Sequence, residues 1–264
     1  MTMEWALSKF QEEKLQSMFS FFVQSEIGVE EEKFNELRWK VLYKNILDFT
    51  GWTEESTEAK RCKGVIECFF KSMVEKCNFL LQADKEEKIT DLSSENWFRT
   101  WSHLLRGKKV MDGLPIWVTV LPKILLEIID RDGDGVISFD ELKRFYQQLL
   151  PKTKNVQESM MLSAFNQMTD KGTYHLDIDT VELLFSNFLI GQTPFAPGKY
   201  LFGCYGTDAS TTPKIKILQD FNEEVDELDS TSPRKALSPT TRLKRSEVPR
   251  PRRNSLPTGL LVGS

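Results

Sequence analysis

Twelve consecutive residues constrain this chain more than any others. They read Asp130-Arg131-Asp132-Gly133-Asp134-Gly135-Val136-Ile137-Ser138-Phe139-Asp140-Glu141, with acids at the first, third, fifth and twelfth places and glycine at the sixth. A hard divalent cation takes about six to eight oxygen ligands. In this register Asp130, Asp132 and Asp134 each offer a carboxylate oxygen, Val136 offers its backbone carbonyl, and Glu141 offers both carboxylate oxygens. Ser138 is placed to hold a bridging water. Gly135 permits a sharp turn that a side chain would obstruct. Ile137 is the short β residue expected to pair with a neighbouring loop.

The flanks fit the same frame. Leu125, Leu126 and Ile129 fall on one helical face before the loop. Leu142, Phe145, Tyr146 and Leu149 follow it at i, i+3, i+4, i+7 spacing. Helix, twelve-residue acidic loop and helix in this order make the EF-hand arrangement. The expected metal ligands are therefore Asp130, Asp132, Asp134, Val136 and Glu141, the expected ion is Ca²⁺, and Mg²⁺ is the expected competitor.

The pattern repeats. Met161, Ala164, Phe165 and Met168, then Val181, Leu184, Phe185 and Phe188, each stand 39 residues after a counterpart around the acidic loop. Between them Thr169 to Thr180 is again twelve residues long, but Thr169, Lys171 and Thr180 occupy the first, third and twelfth places. This loop is expected to bind no calcium and to brace the working one through Leu176 against Ile137. His175 is read as incidental. Earlier in the chain, Ser8 and Gln11 form a capping box. Leu15, Met18, Phe19 and Phe22 line one face, and Phe34, Leu37 and Val41 are read as restarting it. The gap 23–33 is one residue short of a calcium loop, with Gly28 at the turn and Val23 and Ile27 in ligand places. A long helix carries Cys62, Val65, Ile66, Phe69, Phe70 and Met73. After Gln82 to Asn96 another carries Trp97, Trp101 and Leu104. That intervening segment is three residues too long. Gln82 stands in its first place and Glu87 replaces the glycine, so Asp84, Glu86, Thr90, Asp91 and Glu95 are not expected to bind calcium tightly. Pro115 suits a helix first turn. Pro122 should kink the helix entering the acidic loop or mark its true start. The expected fold is all-α, with four helix–loop–helix units in two pairs.

Composition divides the chain. The net charge is −4, yet residues 230–264 hold eight Lys/Arg and one acid, a net of +7. The remaining 27 basic and 38 acidic residues give the preceding part −11. An acidic body suits a calcium binder. Ser, Thr, Pro and Arg dominate residues 206–264 and apolar periodicity stops, so a disordered tail is expected after a domain spanning 1–205. Arg252-Arg253-Asn254-Ser255-Leu256 has the look of a basophilic kinase target, and Ser232-Pro233 and Ser238-Pro239 of proline-directed ones. Cys62, Cys68 and Cys77 are read as small core residues, since with Cys204 they show no metal-ligand spacing. The first residues lack a signal peptide's apolar core, and no apolar run reaches the ~18 residues a membrane helix needs. These features lead to the expectation of a cytoplasmic monomer without nucleic-acid partners. With two histidines, His103 and His175, and no nucleophile–base spacing, no enzyme is expected. Two functional readings remain: a calcium sensor or buffer with a single working hand that acts on some protein target, and an interaction protein with a structural frame and a phosphorylation-controlled tail.

Over residues 7–205 the chain resembles the invertebrate sarcoplasmic calcium-binding proteins, their calexcitin-like members most of all. The resemblance is carried by Leu7-Ser8-Lys9-Phe10-Gln11, Leu114-Pro115-Ile116-Trp117 and Leu201-Phe202-Gly203 together with the acidic loop. It implies a compact domain of two EF-hand pairs that binds calcium in the cytosol as buffer or signal carrier. The chain departs from that family in its first loop, which lacks ligands here, and in its tail. GTP binding has been linked to calexcitin-like proteins, but the sequence has no Gly-x-x-x-x-Gly-Lys-Ser/Thr loop. The opposed charges of body and tail predict a contact between them. Deleting residues 206–264 is expected to alter calcium affinity or molecular shape. Calorimetry and small-angle scattering measure both, and unchanged values would dispose of the contact.

Overall fold

The computed structural model describes residues 7–24, 33–82, 87–150 and 156–204. The readings made for the interior of 23–33, for Asp84 and Glu86, and for the tail from 206 onward lie outside the described residues. Helix α1 (Lys9–Val23) starts at the expected capping box: Gln11 N–H donates to the Ser8 hydroxyl, and Ser8 N–H donates to the Gln11 side chain. Strand β1 (Lys33–Phe34) leads into α2 (Glu36–Thr50), and α3 (Thr57–Leu81) follows. Strand β2 (Leu92–Ser93) then leads into α4 (Ser94–Leu105). The two short strands pair antiparallel with Phe34 opposite Leu92, which joins the first two helix–loop–helix units.

Two sequence expectations in this half are corrected. Phe34 belongs to the strand, and α2 begins only after Asn35, whose side chain accepts from Arg38 N–H as an N-cap. The buried face of α2 is therefore Trp39, Leu42, Tyr43, Ile46 and Phe49, while Leu37 is 69% exposed and Val41 only half-buried. On α3, Cys62 and Cys77 are buried as expected but Cys68 is exposed. Cys68 stands two residues from the buried Ile66, about 200° round a helix that turns ~100° per residue. The core of this half is aromatic. Phe22 stacks on Phe69 at 4.6 Å, and Trp97 packs against Phe19, Phe34 and Trp101. Trp97 also donates its indole N–H to the Leu15 carbonyl at 3.1 Å, fixing α4 to α1.

The second half repeats the plan. A short α5 (Ile116–Thr119) follows Pro115, and α6 (Leu121–Ile129) carries Pro122 in its first turn, so that proline marks a helix start. Helix α7 (Phe139–Gln148) leaves the acidic loop, and α8 (Glu158–Met168) and α9 (Ile178–Ile190) flank the fourth loop. Ile137 N–H donates to the Leu176 carbonyl at 3.0 Å, the pairing the sequence predicts. Among the described residues no helix is long and apolar enough to cross a membrane.

A 3₁₀ helix, Pro197–Phe202, closes the described chain against α9. Phe202 packs between Phe21 and Phe188, and the Tyr146 hydroxyl donates to the Tyr200 carbonyl. Lys14 supplies a second tie. It is 1% exposed, and its ammonium donates to the carbonyls of Gly191 and Asn187 at the end of α9, which has no basic residue in its own last turn. A cation there satisfies helix-end carbonyls and matches the helix dipole. The 3₁₀ helix approaches α9 so closely that a Cβ on Gly198 would lie 2.2 Å from the Leu184 carbonyl oxygen and 2.6 Å from Phe188 N. Both are backbone atoms that cannot swing aside. Gly198→Ala should therefore destabilise the domain by about 1–3 kcal/mol in denaturant unfolding.

Candidate metal centre

The acidic loop is shaped by its own side chains. Asp130 ends α6, with its N–H donating to the Leu126 carbonyl at 2.8 Å. Its two carboxylate oxygens then accept from Gly133 N–H at 2.8 Å and Gly135 N–H at 2.9 Å, so one side chain folds the next five residues around itself. Asp132 accepts from Asp134 N–H, and Asp134 from Val136 N–H. Such local side-chain-to-backbone bonds are what aspartate does best outside helices. Two residues pass through the left-handed region, Gly133 at φ 75° and Gly135 at φ 86°. The turn at Gly135 is legible from its place in the loop, whereas the one at Gly133 emerges only in the fold.

These bonds gather the carboxylates of Asp130, Asp132 and Asp134 until their ligand oxygens lie within 4.8 Å of one another. Among the described residues no other group of three acids, histidines or cysteines comes so close. Like charges about 4 Å apart repel by about 1 kcal/mol per pair in water and more near a protein surface. Each carboxylate keeps lone pairs beyond those its N–H donors use. The Val136 carbonyl points away from the fourth loop, because the trans peptide sets it opposite Ile137 N–H, which donates to Leu176. An all-oxygen, exposed, anionic cluster fits a hard divalent cation.

Glu141 reaches the loop from α7. One carboxylate oxygen accepts from Arg131 N–H at 2.7 Å and, less closely, from Asp132 N–H. The other accepts from both the N–H and the hydroxyl of Ser138, at 2.8 and 2.7 Å. Ser138 in turn caps α7, forming a capping box with Glu141. This second role of Glu141 is hidden behind its place as the twelfth loop residue, although Ser138-x-x-Glu141 is the spacing that announces it. The fourth loop is built differently. Thr169 is 1% exposed and closes its own turn, donating to the Phe165 carbonyl and accepting from Gly172 N–H. Asp177 caps α9, and His175 is exposed. In the second unit Glu95 pairs with Arg99 on the surface.

Known proteins resemble this chain at two levels, the loop region and the fold. The family model described as EF hand matches residues 123–146, which cover α6 from its third residue, the loop and most of α7. Residues 123–146 are an EF hand. The fold around that EF hand is similar to a sarcoplasmic calcium-binding protein from amphioxus, at 17% identity and TM-score 0.58 over 75% of this chain and 98% of that one. It is likewise similar to calcium-loaded apo-aequorin from Aequorea victoria, at 18% identity and TM-score 0.52 over 77% of this chain and 98% of that one. No curated protein matches the sequence significantly.

Burial alone would raise the pKa of Glu141. The hydrogen bonds from Ser138, Arg131 and Asp132 outweigh it and hold the carboxyl below its ordinary value of 4.5. A carboxyl lowered on folding stabilises the folded loop fully above the ordinary value and loses that contribution as pH falls through the lowered one. Carbon-detected NMR should accordingly show Glu141 titrating below 4.5 in the metal-free EF hand.

Proposed function

We propose that this protein binds one Ca²⁺ ion in its third helix–loop–helix unit and acts as an intracellular calcium-responsive protein. Asp130, Asp132 and Asp134 supply one carboxylate oxygen each, Val136 its carbonyl, Glu141 both oxygens, and Ser138 steadies a water. The observation that carries this reading is the convergence of the three aspartates in a glycine-turned loop within the matched EF hand. The calcium-binding nature of the amphioxus protein and of aequorin supports it. Mg²⁺ competes for the same oxygens but holds stricter octahedral geometry and loses its water reluctantly.

The other three units are a frame. The fourth loop supports this assignment, with Thr169 and Thr180 at the places a carboxylate would fill and Lys171 at the third. Coordination by Glu141, in the first turn of α7, couples occupancy of the loop to the position of that helix and so to the apolar surface offered to a protein target. The protein works as a cytoplasmic monomer of calexcitin-like type, without catalytic activity of its own. The +7 charge of residues 230–264 favours a second reading, in which a tail modified at Ser255 carries the function and the hands are scaffold.

Calorimetric titration of the full chain with calcium, in physiological magnesium, separates the two. One site is expected, with Kd between about 10⁻⁷ and 10⁻⁵ M, the range of calcium sensors. Glu141→Gln should abolish it without unfolding the domain. Binding only at millimolar calcium would sink the sensor reading and leave the tail as the seat of function.

A further inference from the structure

Helix α2 ends at Thr50 with no basic residue in its last turn. The Phe49 carbonyl is one of the terminal carbonyls that the helix itself cannot satisfy. Its partner comes from the EF hand. Arg144, one turn beyond Glu141 on α7, donates from Nη2 to the Phe49 carbonyl at 2.5 Å. The guanidinium also lies over the Phe49 ring, 4.6 Å from its centre. Its Nε donates to Gln148 on the same helix, which holds the side chain in that direction. A second tie joins the far end of α7 to α2: Gln24 donates to the Leu149 carbonyl at 3.2 Å and accepts from Asn45 at 3.0 Å.

The two helices of the hand are not held alike. Of the nine residues of α6, seven are buried, and Glu127 pairs with Arg61 of α3 at 2.9 Å. Helix α7 buries three of its ten residues. So α6 is the more deeply set of the two, while α7 is held through Phe145, the Tyr146 hydroxyl on the Tyr200 carbonyl and Lys143 on Glu158, and leaves most of its surface uncovered. Any movement of Glu141 toward the aspartates carries the first turn of α7 with it. Arg144 follows, about 4.5 Å further along the axis at 1.5 Å per residue. The cap is also imperfect, since Arg144 Nη1 is buried without a hydrogen-bond partner among the described residues. A contact that is short, set over a ring and incompletely satisfied tolerates little translation.

We propose that Arg144 transmits the metal state of loop 130–141 to the N-terminal half, by capping α2 when Glu141 is bonded to the loop N–H groups and leaving the Phe49 carbonyl when Glu141 turns to a cation. This inference rests on calcium binding at that loop. Because coupling is reciprocal, the bond that cation binding breaks must oppose cation binding. Removing the guanidinium therefore tightens the site.

Hydrogen exchange of the full chain with and without calcium, read at the amides of residues 47–51, tests this directly. Calcium is expected to speed exchange there, including at Gly51 N–H, which donates to the Leu47 carbonyl. Arg144→Gln should remove that calcium dependence and raise calcium affinity about fivefold or more, the lower end of ordinary coupling. Arg144→Lys, which keeps a cationic donor, should restore part of the exchange response. If calcium binds the unaltered chain and exchange at 47–51 does not change, the coupling is overturned while the calcium site stands. An unchanged affinity in a folded Arg144→Gln protein overturns the coupling in the same way. If the unaltered chain binds no calcium, both readings fall. The exchange measurement on the unaltered chain decides the matter even where a variant does not fold.

Discussion

The carboxylate of Glu141 belongs to two structures at once. It is the twelfth residue of the acidic loop and the third residue of α7, where it completes a capping box with Ser138. Its four hydrogen bonds run to Ser138, Arg131 and Asp132, so they span the loop from end to end. A helix N-terminus needs such acceptors, because its first N–H groups have no intrahelical partner. In the calcium-bound state we propose, the cation draws on them too, because three aspartates and one carbonyl do not fill its shell. Each oxygen already accepts two hydrogen bonds, so the two cannot keep all four and also ligate a cation. On the reading proposed above, that competition is what lets the loop move a helix.

The rest of the fold keeps this competition local. Helix α6 is buried along most of its length, and Ile137 is pinned to Leu176 of the fourth loop. The loop is therefore held firmly on its α6 side and at Ile137. The fourth loop contributes by being closed already: Thr169 satisfies its own turn and Asp177 caps α9. The first two units are locked by the β1–β2 pairing and by the aromatic core around Trp97.

A recurring device ties these parts together. Neither α2 nor α9 has a basic residue in its last turn. Each borrows one from a helix remote in sequence, Arg144 of α7 for α2 and Lys14 of α1 for α9. The two borrowed cations differ in setting. Lys14 is fully buried and donates to two carbonyls at the end of α9, whereas Arg144 is only partly buried and its Nη1 has no hydrogen-bond partner among the described residues. On the coupling proposed above, the first is the fixed fastener and the second the one that is undone.

Local signals were enough for much of this. The acid spacing of 130–141, the glycine at Gly135, the capping box at Ser8 and the 39-residue repeat each depend on neighbours within a turn or two, so the sequence alone determined the EF hand, its helices and the pairing of Ile137 with Leu176. The face of α2 is not legible in the sequence, because a two-residue strand ahead of it takes Phe34 out of the helical register, and such a strand exists only when its partner arrives from 58 residues later, at Leu92. Cys68 is exposed although Cys62 and Cys77 are buried, because apolar character alone does not say which side of α3 meets the core. The borrowed caps were beyond sequence altogether. Arg144 and Phe49 are 95 residues apart, and only the packing of α7 beside the end of α2 decides that an ordinary helix-surface arginine becomes the partner of a helix-end carbonyl.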